Sequence, residues 1–152
     1  MLTEKIVLTG SIKAAAALAT KHRFVNFAGN YCGANAKAAG VLAQPTLSGD
    51  MAPINIIGLT IVEAGGAITA GKRVASDASG RAVQATALGA TVAGTGAIPE
   101  GATPVTSTSA SPEVALTATS TLAGGEPPQP TNGVAWTAAA EAGDLILVLI
   151  NG

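Results

Sequence analysis

Short apolar runs rich in β-branched residues recur along the chain between clusters of turn-forming residues. The runs that we interpret as strands are GVLAQ (40–44), APINIIGLTIVEAG (52–65), KRVAS (72–76), GRAVQATA (80–87), GVAW (133–136) and DLILVLI (144–150). Gly, Pro, Asp or Asn bounds each run, which is typical of strands in a small all-β domain. The Asp-Ala-Ser-Gly cluster at 77–80 predicts a hairpin turn between two of them.

The N-terminal residues read MLTEKIVLTG, with apolar Leu2, Ile6 and Leu8 at even positions. This pattern predicts an extended N-terminal arm or edge strand over 1–11, followed by a single β domain over 12–152. The segment SIKAAAALATKH has helix propensity, but short isolated helices are marginal. Because the strand-like RFVNF follows it directly, we expect a turn or loop there.

A repeated pattern divides the domain. GDMAPINIIG (49–58) and GDLILVLING (143–152) share their spacing, and a Gly-Val pair lies upstream of each, at 40–41 and 133–134. Further upstream, ALATKHRFV (17–25) resembles AITAGKRV (67–74). Three blocks in the same order indicate two related β units, at about 12–58 and 66–152.

Residues 95–132 differ from the rest because Thr, Ser, Pro and Gly dominate and apolar periodicity is weak. We interpret this segment as a long irregular surface insertion in the second unit, with one short strand at 114–118. The whole pattern predicts a small β-barrel-like or β-sandwich-like domain built from two related β units.

The stretch GAITAGKRV (66–74) nearly matches the phosphate-binding loop G-x-x-x-x-G-K-[ST]. Arg73 stands where that loop needs a hydroxyl for Mg²⁺, and a strand pattern follows instead of a helix start. If the corresponding block of the first unit lacks these glycines, the stretch is a structural turn. Gly71 then serves a backbone conformation, while Lys72 and Arg73 are surface charges at a strand start.

Composition suggests a surface that is covered in an assembly. Only 11% of the residues are charged and 3% are aromatic, although a typical domain has about a quarter charged. Exposed apolar surface usually marks a contact site. Three of the aromatic residues, Phe24, Phe27 and Tyr31, lie close together in sequence and are expected to form one corner of the core.

Charge is distributed unevenly although the net charge is only −1. All 8 Lys and Arg residues lie at or before Arg81, while five acids follow it. One interpretation is chance or pairing within the chain. The other is that oppositely charged surfaces of neighbouring subunits meet, with Lys72, Arg73 and Arg81 as candidate contacts. The slightly negative total argues against a nucleic-acid partner.

The residue types needed for chemistry are scarce. His22 is the single histidine and Cys32 the single cysteine, and no third group that could orient a Cys–His pair is evident. The carboxylates are scattered singly, so we predict no catalytic residue, no metal site and no cofactor. The longest strongly apolar run, at 145–150, is too short to span a membrane, and no secretory signal is visible.

The run from FVNFAGNYCGA to IVEAGGAITAGKRVASDASGRAV (24–83), together with GVAWTAAAEAGDLILVLI (133–150), resembles the capsid decoration (cement) proteins of tailed bacteriophages. The resemblance covers 12–90 and 133–150, but it does not extend to the insertion. It implies a β-barrel-like, non-catalytic virion protein that is made in the host cytoplasm. Such proteins bind the outside of the head as homotrimers and stabilise contacts between major capsid proteins.

Under this interpretation, the arm residues Leu2, Ile6 and Leu8 add as a strand to a neighbouring chain, because they have no evident partner in their own unit. Lys72, Arg73 and Arg81 meet an acidic neighbour. Two alternatives stay open: a carbohydrate- or host-surface-binding β module that uses the Thr/Ser/Pro-rich insertion, and a structural protein of the phage tail or baseplate.

Overall fold

A computed structural model describes residues 2–85 and 131–151 of the chain. The regular elements in these ranges are strands: β1 (Lys5–Lys13), β2 (Phe24–Val25), β3 (Gly40–Leu42), β4 (Met51–Glu63), β5 (Arg73–Ser76), β6 (Ala82–Gln84), β7 (Gly133–Ala135) and β8 (Leu145–Asn151). They form one sheet in the order β2-β3-β4-β8-β7-β5-β6, and β1 pairs with β4. Every strand pair is antiparallel.

The sheet curls until its two ends meet, which gives the shape of a nearly closed barrel. At the junction, the N–H of Phe24 in β2 donates to the carbonyl oxygen of Gly80, just before β6 (2.7 Å). Nearby, the N–H of Asn35 donates to the carbonyl oxygen of Ser76 in β5 (2.8 Å). The predicted all-β, barrel-like fold class is therefore confirmed.

The predicted strands are present, mostly with shorter bounds. The expected loop after the first strand is also present, since residues 14–23 are irregular apart from a bridge between Leu18 and Thr46. Phe24 is fully buried, but Phe27 is 73% exposed, so the predicted aromatic corner is wrong for this residue. The predicted strand at 114–118 and residues 95–130 of the insertion lie outside the described residues.

The N-terminal segment is not a free arm. Residues 5–13 form β1, whose register with β4 runs from Lys5 opposite Leu59 to Lys13 opposite Met51. The premise that this segment lacks a partner in its own unit was therefore wrong, because residues 51–58 belong to that unit. The pattern showed that the segment is extended, but a strand's partner depends on distant residues. The arm boundary predicted at residue 11 falls inside β1.

Backbone hydrogen bonds repeat between the two units at matching positions. In each unit, an alanine donates its N–H to the aspartate carbonyl oxygen of a Gly-Asp turn and accepts a bond from the glycine N–H, at 2.7–2.8 Å. The alanine is Ala14 for the turn at 49–50 and Ala64 for the turn at 143–144. One further pair of bridges matches, Leu18 with Thr46 and Ile68 with Ala139. The repeat predicted from the Gly-Asp blocks therefore exists in the fold.

Strand β4 serves in both repeats. Its N-terminal part pairs with β1 and closes the first repeat, and its C-terminal part pairs with β8 and opens the second. We define the first repeat as β1–β3 with residues 51–58, and the second as residues 57–63 with β5–β8. The pairing of Lys13 with Met51 corresponds to that of Glu63 with Leu145.

Each repeat has a front, which carries its own apolar core, and a back. The front of the first repeat carries Val25, Leu42 and Ile54, and the matching residues of the second are Val74, Ala135 and Val148. The backs carry Phe24, Val41 and Asn55 in the first repeat, and Arg73, Val134 and Leu149 in the second.

The Gly-Val pair recurs because two strands approach closely there. A side chain at Gly40 would lie 2.6 Å from the carbonyl oxygen of Asn55, and one at Gly133 would collide with the carbonyl oxygen of Leu149. Asn55 and Leu149 are themselves matching residues in the repeat. A residue without a Cβ is needed at both places.

Candidate partner interface

Strand β8 is apolar on both sides, and this creates an exposed apolar surface. Ile146, Val148 and Ile150 belong to the core. Of the alternate residues, which point to the back of the second repeat, Leu147 is 7% exposed, whereas Leu145 and Leu149 are 48% and 41% exposed. A strand with two apolar sides normally has both sides covered, but in the described residues only the core side is fully covered.

Neighbouring strands extend this surface. We call it the leucine face and define it as the exposed or half-exposed residues Val7, Leu59, Trp136, Leu145 and Leu149. Leu59 on β4 lies directly opposite Leu149, so both side chains project from the same side of the sheet. Trp136 is 63% exposed and Val7 is 74% exposed. Between them lies a shallow groove of about 210 Å³.

A cross-strand row shows how charge frames the leucine face. The row runs through Lys5 on β1, Leu59 on β4, Leu149 on β8, Val134 on β7 and Arg73 on β5. A cation therefore stands at each end of an apolar stripe. An apolar centre with a charged rim is the usual anatomy of a protein–protein contact.

The arm residues predicted as contacts have mixed positions. Leu2 and Ile6 are half-buried, and Leu8 is 46% exposed. The register shifts between Ile6 and Leu8, which pair with the adjacent residues Gly58 and Ile57, so Val7 is the extra residue of a bulge in β1. Val7 joins the leucine face and was missing from the sequence prediction.

The predicted basic residues separate into two groups. Lys72 and Arg73 are exposed at the start of β5, and Arg73 belongs to the rim of the leucine face. Arg81 is instead bound within the chain, because its Nε donates to Oδ2 of Asp77 at 2.8 Å. This pair supports intramolecular pairing for Arg81. Three of the acids that follow it, at 100, 113 and 126, lie outside the described residues.

The turn around Asp77 explains that pairing. Oδ1 of Asp77 accepts hydrogen bonds from the N–H groups of Ser79 (2.8 Å) and Arg81 (2.9 Å). Partial burial acts to raise the pKa of Asp77, but these bonds and the Arg81 guanidinium outweigh burial and hold it below its ordinary value. The predicted hairpin turn at 77–80 is confirmed.

The loop resembling a phosphate-binding motif is a structural turn. Gly71 has a positive φ of 80°, and β5 begins at Arg73, directly after the turn. The matching residue of the first repeat is His22, with φ of 64°. Both donate their N–H to a matching carbonyl oxygen, that of Ala135 and that of Leu42 respectively. The structural interpretation of Gly71, Lys72 and Arg73 is therefore confirmed.

The histidine and the cysteine have separate surroundings. Burial, together with nearby Lys21, lowers the pKa of His22 below its ordinary value. Cys32 is fully buried, its thiol donates to the carbonyl oxygen of Ala36, and burial raises its pKa. Within residues 2–85 and 131–151, no three His, Cys, Asp or Glu side chains cluster in a way that could hold a metal ion.

Comparisons with known proteins show a likeness in fold but not in sequence. No family model and no curated protein matches this sequence. Among solved structures, the head fiber gp8.5 N base of bacteriophage phi29 superposes with a TM-score of 0.56 and 14% identity, over 95% of this chain and 93% of that one. The chain shares the fold of a phage head fiber base. At this identity the likeness concerns the fold alone.

The described ranges contain no helix of the length and apolarity needed to cross a membrane.

Sequence reasoning found one residue of the rim, Arg73, and missed Lys5 and the centre of the interface. Arg73 was identified from its charge, but Leu59, Trp136, Leu145 and Leu149 were not. The signal was present in LILVLI (145–150), because an uninterrupted apolar run predicts a strand with both sides covered. The strand pattern alone does not distinguish this case from a strand with one exposed side.

Proposed function

We propose that this chain is a structural protein of a bacteriophage head. More specifically, it is a decoration (cement) protein that binds the outer capsid surface as a homotrimer and stabilises contacts between major capsid proteins. It acts without catalysis, without a cofactor and without nucleic acid or membrane as a partner. It is made in the host cytoplasm and becomes part of the virion.

The observation that supports this most is the fold likeness to a phage head fiber base across nearly the whole chain. The leucine face adds support from physics. Exposed apolar side chains gathered around one groove, such as Val7, Trp136 and Leu149, are the kind of surface that a contact with another protein covers, so an assembled state fits this surface. Low surface charge and many small contacts suit a protein whose binding strength comes from simultaneous attachment at several points.

The test is co-sedimentation with expanded capsids built from the major capsid protein of the same phage. Bound protein should saturate at a multiple of three copies per capsid site, and decorated capsids should lose their contents at a higher temperature than bare ones. Purified protein that stays in the supernatant at saturating concentration would refute the proposal.

The exposed Trp136 also bears on the carbohydrate-binding alternative, since sugars stack on such rings. Its groove argues against this alternative, because the remaining lining consists of Val7, Gly58, Leu59, Leu149 and the single polar side chain of Lys5. A sugar site needs several placed hydrogen-bonding groups. Quenching of Trp136 fluorescence by host-surface saccharides, with no binding to capsids, would favour the alternative.

A further inference from the structure

The front of the second repeat packs on the back of the first repeat. Phe24 and Val41, on the back of the first repeat, are fully buried in the same core as Val62 and Ile146 from the front of the second. A side-chain hydrogen bond crosses this contact, with Nδ2 of Asn55 donating to Oγ1 of Thr60 (3.0 Å). The back of a repeat is thus a surface that the front of another repeat can cover.

The back of the second repeat is covered at Leu147, which is 7% exposed, but the described residues leave the rest of it open. Arg73 and Val134 match the buried Phe24 and Val41, but Arg73 is exposed and Val134 is half-exposed. Leu149 matches Asn55, which is 6% exposed, and is itself 41% exposed. The leucine face is therefore the surface that a further front would occupy.

The front of the first repeat is open in a complementary way. Ile12 and Ile56 match Val62 and Ile150, which are almost fully buried in the second repeat. In the first repeat, they are half-buried and line an open apolar cavity of about 410 Å³. The exposed ring of Phe27 stands at the same cavity.

We propose that a second copy of this chain covers the leucine face with the front of its first repeat, and so repeats the internal packing between chains. This deepens the proposed function, because it rests on the homotrimer and says which surfaces build it. The two surfaces are different patches of one molecule, so the contact is head-to-tail, and in the proposed homotrimer three such contacts form a closed ring. We choose a second copy as the partner because, within one chain, the front of one repeat already covers the back of the other.

The experiment uses a cysteine on each surface. Lys5→Cys places a thiol at the leucine face, and Lys37→Cys places one at the open cavity. Both positions are exposed, and the native Cys32 is fully buried. The two single variants are made separately and also co-expressed, and each sample is treated with a short thiol-to-thiol cross-linker under native conditions.

Cross-linked dimers should form when the two variants are co-expressed and should be absent from either variant alone. Links within a single variant, or none in the mixture, would overturn the head-to-tail contact. Capsid co-sedimentation of the same samples separates the two proposals. Capsid binding without mixed links refutes only this inference, whereas mixed links without capsid binding refute only the decoration role.

Anchor variants give a second measurement. Trp136→Ser on the leucine face and Phe27→Ser at the cavity should each weaken self-association at least about 30-fold, as expected for a central aromatic contact. Leu47→Ser is the matched control, because Leu47 is 72% exposed and lines neither surface. Sedimentation equilibrium measures all three. An equal effect of the control, or no effect of either aromatic variant, would count against the contact.

Discussion

The backs of the two repeats have the same strand pairing and opposite surroundings. Phe24 opposes Val41 across β2 and β3, and Arg73 opposes Val134 across β5 and β7 in the same way. The first pair lies fully buried in the core that it shares with the front of the second repeat, and the second pair faces outward. Backbone geometry alone therefore does not decide whether a position is core or surface. The element that packs against the position decides whether it is buried, and the residue type matches that burial.

The largest expected effect comes from this pair of positions. Phe24→Ala should lower the free energy of unfolding by about 3–5 kcal/mol, because it leaves a cavity in a packed core. Arg73→Ala should change it by less than about 0.5 kcal/mol, since the side chain is exposed. Urea unfolding at fixed protein concentration measures both. Similar losses in the two variants would contradict the assignment of covered and uncovered backs.

The next effect tests the close approach that both repeats share. Gly133→Ala and Gly40→Ala should each cost at least about 2 kcal/mol, because the new Cβ meets a carbonyl oxygen of the neighbouring strand. Gly33→Ala is the control, because no atom lies within 4 Å of a Cβ there. Thermal unfolding of the three variants measures these losses. A Gly133→Ala variant as stable as the wild type would show that the strands can separate without penalty.

A smaller effect is expected at the matching turns. Gly71→Ala should cost about 1 kcal/mol, since a residue with a Cβ is strained at positive φ. His22→Gly should be close to neutral, because the relief of that strain is offset by about 0.5–1 kcal/mol of chain entropy. Urea unfolding of both variants and the wild type under the same conditions measures the two changes in free energy of unfolding. A stabilising Gly71→Ala would mean that the two turns are not equivalent.

The smallest effect concerns charge in the hairpin turns. Asn26 accepts turn hydrogen bonds from Ala28 and Asn30 as Asp77 does from Ser79 and Arg81, but without a charge. Asp77→Asn should therefore cost less than about 1 kcal/mol at pH 7.

The pH dependence of this difference follows from the lowered pKa of Asp77. A carboxylate whose pKa is lower in the folded state stabilises fully above its ordinary pKa and loses this contribution as the pH falls through the folded value. The difference in free energy of unfolding between wild type and Asp77→Asn should be constant above about pH 4 and should disappear in stronger acid. Urea unfolding at a series of pH values measures it. A difference that widens in acid would show that the carboxylate does not stabilise the turn.

Local pattern predicted much of this fold because strands and turns leave local signals. The Gly-Asp and Gly-Val blocks identified the repeat, since each marks a turn or a close approach that both copies need. One further match was overlooked. NFAGN (26–30) and DASGR (77–81) form the same turn, with Gly29 and Gly80 at φ of 78° and 77°. This turn projects Phe27 outward, and its counterpart would have indicated the exposed position.

The remaining features depend on contacts between distant residues. The partner of β1 lies about forty to fifty residues away in β4, and nothing in MLTEKIVLTG specifies it. The leucine face needs β1, β4, β7 and β8 side by side before its residues form a surface. Local sequence reasoning therefore found Arg73 on its charged rim but neither Lys5 nor its apolar centre.

Strand β4 has a consequence for how this chain can lose its structure. Repeat proteins usually consist of separable modules, and an array can unravel from one end while the rest persists. Here one strand is the last of the first module and the first of the second, and residues 57–59 bond to β1 on one edge and β8 on the other. Neither half can detach without taking a strand from its neighbour. The duplicated halves behave as a single cooperative unit, and the slowest amide protons to exchange with solvent should be those of this shared strand.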